Sequence, residues 1–207
     1  MLLRAVAECA ATYSPGRPAQ GGSSNSIPRA ATPACVLPGS LARYRAAPGG
    51  PKHPNAALLD SFYSAFSKRD GDAMAACYHP EARFSDPVFP DLRGEDIGRM
   101  WKMLCERGKD LTLEYSGIEA GDTSGVAHWE ADYTFSTTGR KVHNIIDARF
   151  TFTDGLIATH QDDFGFWRWS RQALGAPGLL LGWTPIVQNK VRAEAAKGLA
   201  QYKKATS

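Results

Sequence analysis

The sequence predicts an α+β domain in which helices gather on one face of a curled antiparallel sheet. Three observations carry this. From Val126 to Phe135, Ala127, Trp129, Ala131, Tyr133 and Phe135 alternate with His128, Glu130, Asp132 and Thr134. A period of two over that length is a strand with one apolar and one polar face. After a Gly-containing polar turn at 136–141, a second alternating run extends from Val142 to Phe152, which makes the pair a hairpin. Ahead of them, Leu58, Leu59, Phe62 and Phe66, and then Ile97, Met100, Trp101 and Leu104, recur at helical spacing.

Residues 1–52 lack such periodicity and are rich in Ala, Pro, Gly, Ser and Arg, as expected of a disordered or targeting tail. Six basic residues and one acid give this stretch a net charge of +5, while the remaining 18 basic and 20 acidic residues give −2. The overall +3 is therefore a property of the tail, and nucleic acid is not an expected partner. Arg4 and Glu8 interrupt what would be the apolar core of a secretory signal. The acid-poor, Arg- and Ser-containing composition is that of a mitochondrial or chloroplast transit peptide, or of a leader without function on a bacterial cytoplasmic protein. No apolar run is long enough to span a membrane. Cys9, Cys35, Cys77 and Cys105 are widely spaced, which argues against a disulfide framework or zinc ribbon and fits a reducing compartment.

The domain is expected over 53–169. Asn55 is the expected N-cap of the first helix and Gly71 its terminator. Asp72 then caps a short helix, 73–78, and 82–86 forms a short strand closed by Pro87. A third helix spans 94–107 and stops at Gly108. Leu111, Leu113 and Tyr115 alternate in the next strand. Asp154-Gly155 turns the chain into a last strand, 156–169. The segment 170–207 is read as a Gly/Pro loop, 175–182, followed by an amphipathic helix opened by Thr184-Pro185. Ile186, Val187, Val191, Ala195 and Leu199 form its stripe. A curled sheet over helices encloses a cone-shaped pocket, a natural small-molecule site.

Several segments resemble a known family: 62–82 (Phe-Tyr-x-Ala-Phe through Cys-Tyr-His-Pro-Glu-Ala), Phe-Ser-Asp-Pro-Val at 84–88, Leu-Arg-Gly at 92–94, Gly-Arg-Lys at 139–141, Ile-Asp-Ala-Arg-Phe at 146–150 and Asp-Gly-Leu-Ile at 154–157. Together they resemble the nuclear transport factor 2-like superfamily, in its branch of SnoaL-like polyketide cyclases and ketosteroid isomerases. The resemblance spans about 55–168 and speaks to fold more than to reaction. In the isomerases, an Asp at the Asp-Pro position shuttles a proton and an Asp at the Ile-Asp position stays protonated to donate to an oxyanion. The resemblance thus implies Asp86 as base and Asp147 as donor.

Each has a plainer reading. Asp86 before Pro87 suits an ordinary turn, and Asp147 suits an ion pair with Arg149, two residues on. The isomerase tyrosine on the first helix aligns with Phe62; Tyr63 points about 100° away, and Tyr133 could substitute. Related epoxide hydrolases imply a second arrangement, Asp147, Arg149 and Asp162, although Arg and Asp stand here in reversed order. His143 and His160 are expected on the pocket face, His160 with Asp162 as orienter. Trp101, Trp129, Phe135, Phe164 and Phe166, with Phe62, make an apolar lining that suits an apolar, carbonyl-bearing molecule. No ligand spacing points to a metal, and no phosphate loop or nucleophile elbow points to a nucleotide cofactor or a serine hydrolase. The expectation is a cofactor-independent isomerase or cyclase. The alternatives are a ligand-binding module, or a homodimeric assembly module built on the outer sheet face or the 185–202 helix.

Overall fold

The computed structural model describes residues 52–206; the expectations for the preceding tail lie outside the described residues. Two helices, α1 (Pro54–Ser67) and α2 (Gly71–Ala76), precede β1 (Tyr78–Ser85), β2 (Leu92–Arg93) and α3 (Glu95–Arg107). The long strands follow: β3 (Thr112–Ala120), β4 (Ser124–Phe135), β5 (Arg140–Thr153) and β6 (Leu156–Asp163). Three helices close the chain, α4 (Phe166–Ala173), α5 (Ala176–Leu181) and α6 (Pro185–Thr206).

The α+β class is as expected, but the curled sheet is mixed. Its order is β2-β1-β6-β5-β4-β3, and β1 joins β6 in parallel. Such a pairing needs a long crossover, here everything from β2 to β5, and no local pattern encodes it. The β4–β5 ladder sets Trp129 against Ile146 and Ala127 against Ala148. On β5 that face of the hairpin is apolar except for the buried Asn144. It packs on Leu59, Phe62, Tyr63 and Phe66 of α1 and on Ile97, Met100 and Trp101 of α3 in a single core. Each large side chain buried there contributes about 1.5–3 kcal/mol. A second cluster, with Val142, Trp169, Ala173, Val187 and Val191, fastens α4 and α6 to the end of β5.

Local chemistry differs from expectation at four places. His53, not Asn55, caps α1: its Nδ1 accepts from the Asn55 amide at 3.2 Å. Asn55 is freed to donate to the carbonyls of Gly121 (2.9 Å) and Asp122 (3.1 Å), tying the helix start to the β3–β4 turn. Arg69, at φ 58°, takes the left-handed position assigned to Gly71. Asp70 then caps α2 in place of Asp72, accepting from the Ala73 amide at 2.9 Å. Gly71 instead allows close helix packing, since a Cβ there would lie 2.7 Å from Lys102 Cα. β6 stops at Asp163, and the expected strand residues 166–169 open α4. Trp169, Ser170 and Ala173 are buried at helical spacing, so the apolar cluster they join selects helix over strand. The expected loop at 175–182 contains α5, where a Cβ on Gly178 would collide with the Ser170 backbone.

Candidate active site

A cavity of about 430 Å³ opens between the inner sheet face and the helices. Phe66, Trp101, Trp129, Tyr133, Ile146 and Trp169 give it an aromatic and aliphatic wall, which Val191 and Ala195 of α6 complete. Asp86, Asp162, Tyr133 and Asn144 are among its polar lining residues, together with Arg107, Thr134, Ser136, Thr137 and Glu194.

Asp86 lies just beyond β1, in the loop to β2. Its Oδ1 accepts from the amides of Val88 (2.7 Å) and Phe89, and its own amide donates to the Phe89 carbonyl at 2.9 Å. The turn and the cavity residue are thus one device: backbone amides fix the carboxylate at the cavity wall. Burial pushes its carboxyl up to about 7 from 3.8, helped by the charge of Asp162 and opposed by the Phe89 and Val88 amides and Arg192.

Asp162 is buried on the inner face of β6 and is the end of a hydrogen-bonded chain. Trp101 Nε1 donates to the Tyr78 oxygen at 3.0 Å, so the Tyr78 proton goes to His160 Nδ1 at 2.6 Å. That leaves the Nε2 proton of His160 for Asp162 Oδ1, 3.0 Å away. Trp129 Nε1 donates to the same oxygen at 3.2 Å. Burial, reinforced by Asp162, holds the Tyr78 phenol well above its ordinary range, so Tyr78 stays a donor. Tyr133 accepts from Trp169 Nε1 at 2.8 Å, which leaves its own proton for the cavity. Burial pushes its phenol up to about 12, with the Asp86 charge adding and the Trp169 hydrogen bond opposing.

Comparison with known proteins places this architecture. Residues 59–160 match the family described as SnoaL-like domain. The chain carries a SnoaL-like domain. No curated protein is significantly similar to the sequence. Among solved structures, a nuclear transport factor 2-like protein of unknown function from Burkholderia pseudomallei K96243 superposes with TM-score 0.52 at 18% identity, over 58% of this chain and 97% of its own. A protein of ketosteroid isomerase-like fold from Catenulispora acidiphila, in complex with trimethylamine, gives 0.52 at 9% identity over 62% and 97%. A putative polyketide cyclase from Silicibacter sp. TM1040 gives 0.50 at 17% identity over 59% and 98%. At these identities the likeness concerns the fold alone.

Asp86, Tyr133, Asp162, Trp101, Trp129, Phe135 and Phe164 all line the cavity, with His160 directly behind Asp162. Asp147, Arg149 and His143 do not. They stand on the outer face of β5, where Asp147 is 77% exposed and pairs with His128 at 2.8 Å. His143 pairs there with Asp132 and Glu130, both at 3.1 Å. The expected Asp147–Arg149–Asp162 set is therefore not assembled, and Asp147 does not face Asp86. The polar members of β5 expected in the pocket are the ordinary solvent face of an alternating strand. Phe62 is sealed in the core, edge-on to Tyr78, Trp101 and His160. Phe166 packs against Trp169 and does not line the cavity.

Sequence reasoning missed Tyr78 and Asn144. Asn144 was legible: it is the one polar member of the set Val142, Asn144, Ile146, Ala148, Phe150 and Phe152, and it is buried. Nothing local marked Tyr78, because its partners His160 and Trp101 come from distant elements. Among the described residues, no three His, Cys, Asp or Glu side chains are grouped to hold a metal ion.

Proposed function

We propose that this SnoaL-like domain binds a small, largely apolar carbonyl compound and moves a proton on it by acid–base chemistry, as an isomerase or cyclase without a cofactor. Asp86 is the base, and Tyr133 donates to the oxygen on which charge develops. The observation that carries this reading is Asp86 itself: a carboxylate anchored by two backbone amides in an apolar cavity, its pKa raised to about 7. A base poised near neutral pH combines the ionised form with useful basicity. Tyr133, held protonated beside it, is the matching donor. Asn144 and Asp162 supply further polar contacts on the opposite strands.

The test is exchange of α-protons of small cyclic ketones in D₂O, followed by NMR. The wild-type chain accelerates exchange, and Asp86→Asn slows it by at least ~10²-fold. Equal rates for the two proteins sink the assignment of Asp86. A second reading, a binding module without turnover, is favoured by Phe62, through which α1 offers no hydroxyl. It requires saturable binding of the same ketones that Asp86→Asn leaves unchanged.

A further inference from the structure

Outside the cavity, exposed apolar surface is concentrated at one corner. Trp183 (72% exposed), Leu180 (68%), Ile186 (59%), Leu179 (52%) and Trp167 (43%) are five of the six exposed large hydrophobic residues among those described. They are contiguous. Trp167 Nε1 donates to the Leu179 carbonyl at 3.2 Å, and Trp183 Nε1 to the Leu180 carbonyl at 3.1 Å. Ile186 follows in the first turn of α6.

The charge around this patch is one-sided. Residues 164–193 contain Arg168, Arg171, Lys190 and Arg192 and no Asp or Glu. Arg171 lies 5.1 Å over the Trp167 ring. Arg140 joins from β5, donating to the Gln172 carbonyl at 2.7 Å. Arg192 alone turns inward, to the Pro87 carbonyl.

From this we propose that the α4–α5–α6 corner docks on the surface of an anionic lipid bilayer. Each component suits an interfacial site. Indoles prefer the boundary between headgroups and acyl chains, Leu and Ile side chains bury apolar area just below it, and basic side chains are drawn to anionic headgroups. With no acid between residues 164 and 193, this segment exerts no repulsion of its own on such a surface. Opposite sides of the same helices wall the cavity through Trp169, Val191 and Ala195, so docking sets the cavity beside a reservoir of apolar molecules. The proposal concerns the surface only and stands whether or not the cavity catalyses.

The full chain is sedimented with phosphatidylcholine vesicles with and without phosphatidylglycerol. Binding to the anionic vesicles is expected, accompanied by a blue shift of tryptophan emission, and is at least about tenfold weaker without the anionic lipid. The double variant Leu180→Ser/Trp183→Ser loses the binding. The charge reversal Arg168→Glu/Arg171→Glu weakens it at least about tenfold, with circular dichroism and melting unchanged in both. Absence of co-sedimentation with anionic vesicles overturns the proposal. So does binding that survives both sets of substitutions, which belongs to the basic segment 1–52. A dimer in light scattering that Leu180→Ser/Trp183→Ser splits, without vesicle binding, assigns the patch to a second copy of the chain instead.

Discussion

Asp162 stands opposite Ala148 across the β5–β6 ladder, and this pairing decides which acids see the cavity. Ala148 is buried on the inner face, so Asp162 enters beside it, while Asp147, one residue away, is turned to solvent. The inner acid is the end of the chain from Trp101 through Tyr78 and His160. The outer acid is one rung of a histidine–carboxylate ladder.

Asp162→Ala leaves two buried donors, His160 Nε2–H and Trp129 Nε1–H, without their acceptor. Stability should fall by roughly 3–5 kcal/mol. Asp162→Asn keeps an oxygen for both donors and should cost about 1 kcal/mol or less. Denaturant titration of the two variants checks the difference, and equal losses would show that the shared acceptor is not what matters.

Asp86 makes stability depend on pH in an unusual direction. Its folded pKa, about 7, lies above the ordinary 3.8, so the folded chain holds this proton more tightly than the unfolded chain does. Between pH 4 and 7 the native state binds the extra proton, and stability falls as pH rises through that window. Above pH 7 the ionised carboxylate costs on the order of 2 kcal/mol, after allowance for solvent in the cavity. Asp86→Asn retains an oxygen for the Val88 and Phe89 amides and removes the charge. Its melting temperature should exceed that of the wild type at pH 8 and approach it at pH 4.

Tyr63 carries the one buried side-chain oxygen among the described residues that has no hydrogen-bond partner. Its ring stacks on Tyr115 at 5.3 Å and abuts Trp129 and Phe150. Tyr63→Phe keeps that packing and removes the unpaired hydroxyl, so the chain should gain about 1 kcal/mol. A loss in thermal or denaturant unfolding would reveal a partner for the hydroxyl.

The outer ladder should be dispensable for the cavity. Hydrogen bonds that His128 donates to Asp147 and then to Glu130 hold its imidazole above its ordinary range. A base raised in this way adds stability at acidic pH that is lost as pH rises through its folded value. Asp147→Asn should lower the His128 titration midpoint in an NMR experiment. It should leave ligand binding in the cavity unchanged, and unfolding free energy within about 0.5 kcal/mol at neutral pH.

Much of the scaffold was legible residue by residue. The alternation in β4 and β5 correctly separated Trp129, Ala131 and Tyr133 from Glu130 and Asp132, and Ile146 and Ala148 from Asp147 and Arg149. The error lay in which set of β5 was turned toward the cavity. His143, Asp147 and Arg149 were expected at the cavity, although an antiparallel strand with one wet face contains such residues as a matter of course. The informative intrusion was Asn144, alone among apolar neighbours. Asp86 was legible because a turn acid before Pro87 has a local signature. Its raised pKa was not, since burial at the cavity wall and the charge of the distant Asp162 produce it.

Local patterning was enough to specify the helical stripes of α1 and α3, the β4–β5 hairpin, and the two faces of each long strand. These follow from periodicities of 3.6 and 2, which are properties of a few adjacent residues. Tertiary structure alone decided that β1 runs parallel to β6, that 166–169 coil into α4, and that Asp162 rather than Asp147 shares the cavity with Asp86. Those outcomes depend on which distant apolar surfaces meet. Burial is a property of the whole packed chain, and no short window of residues contains it.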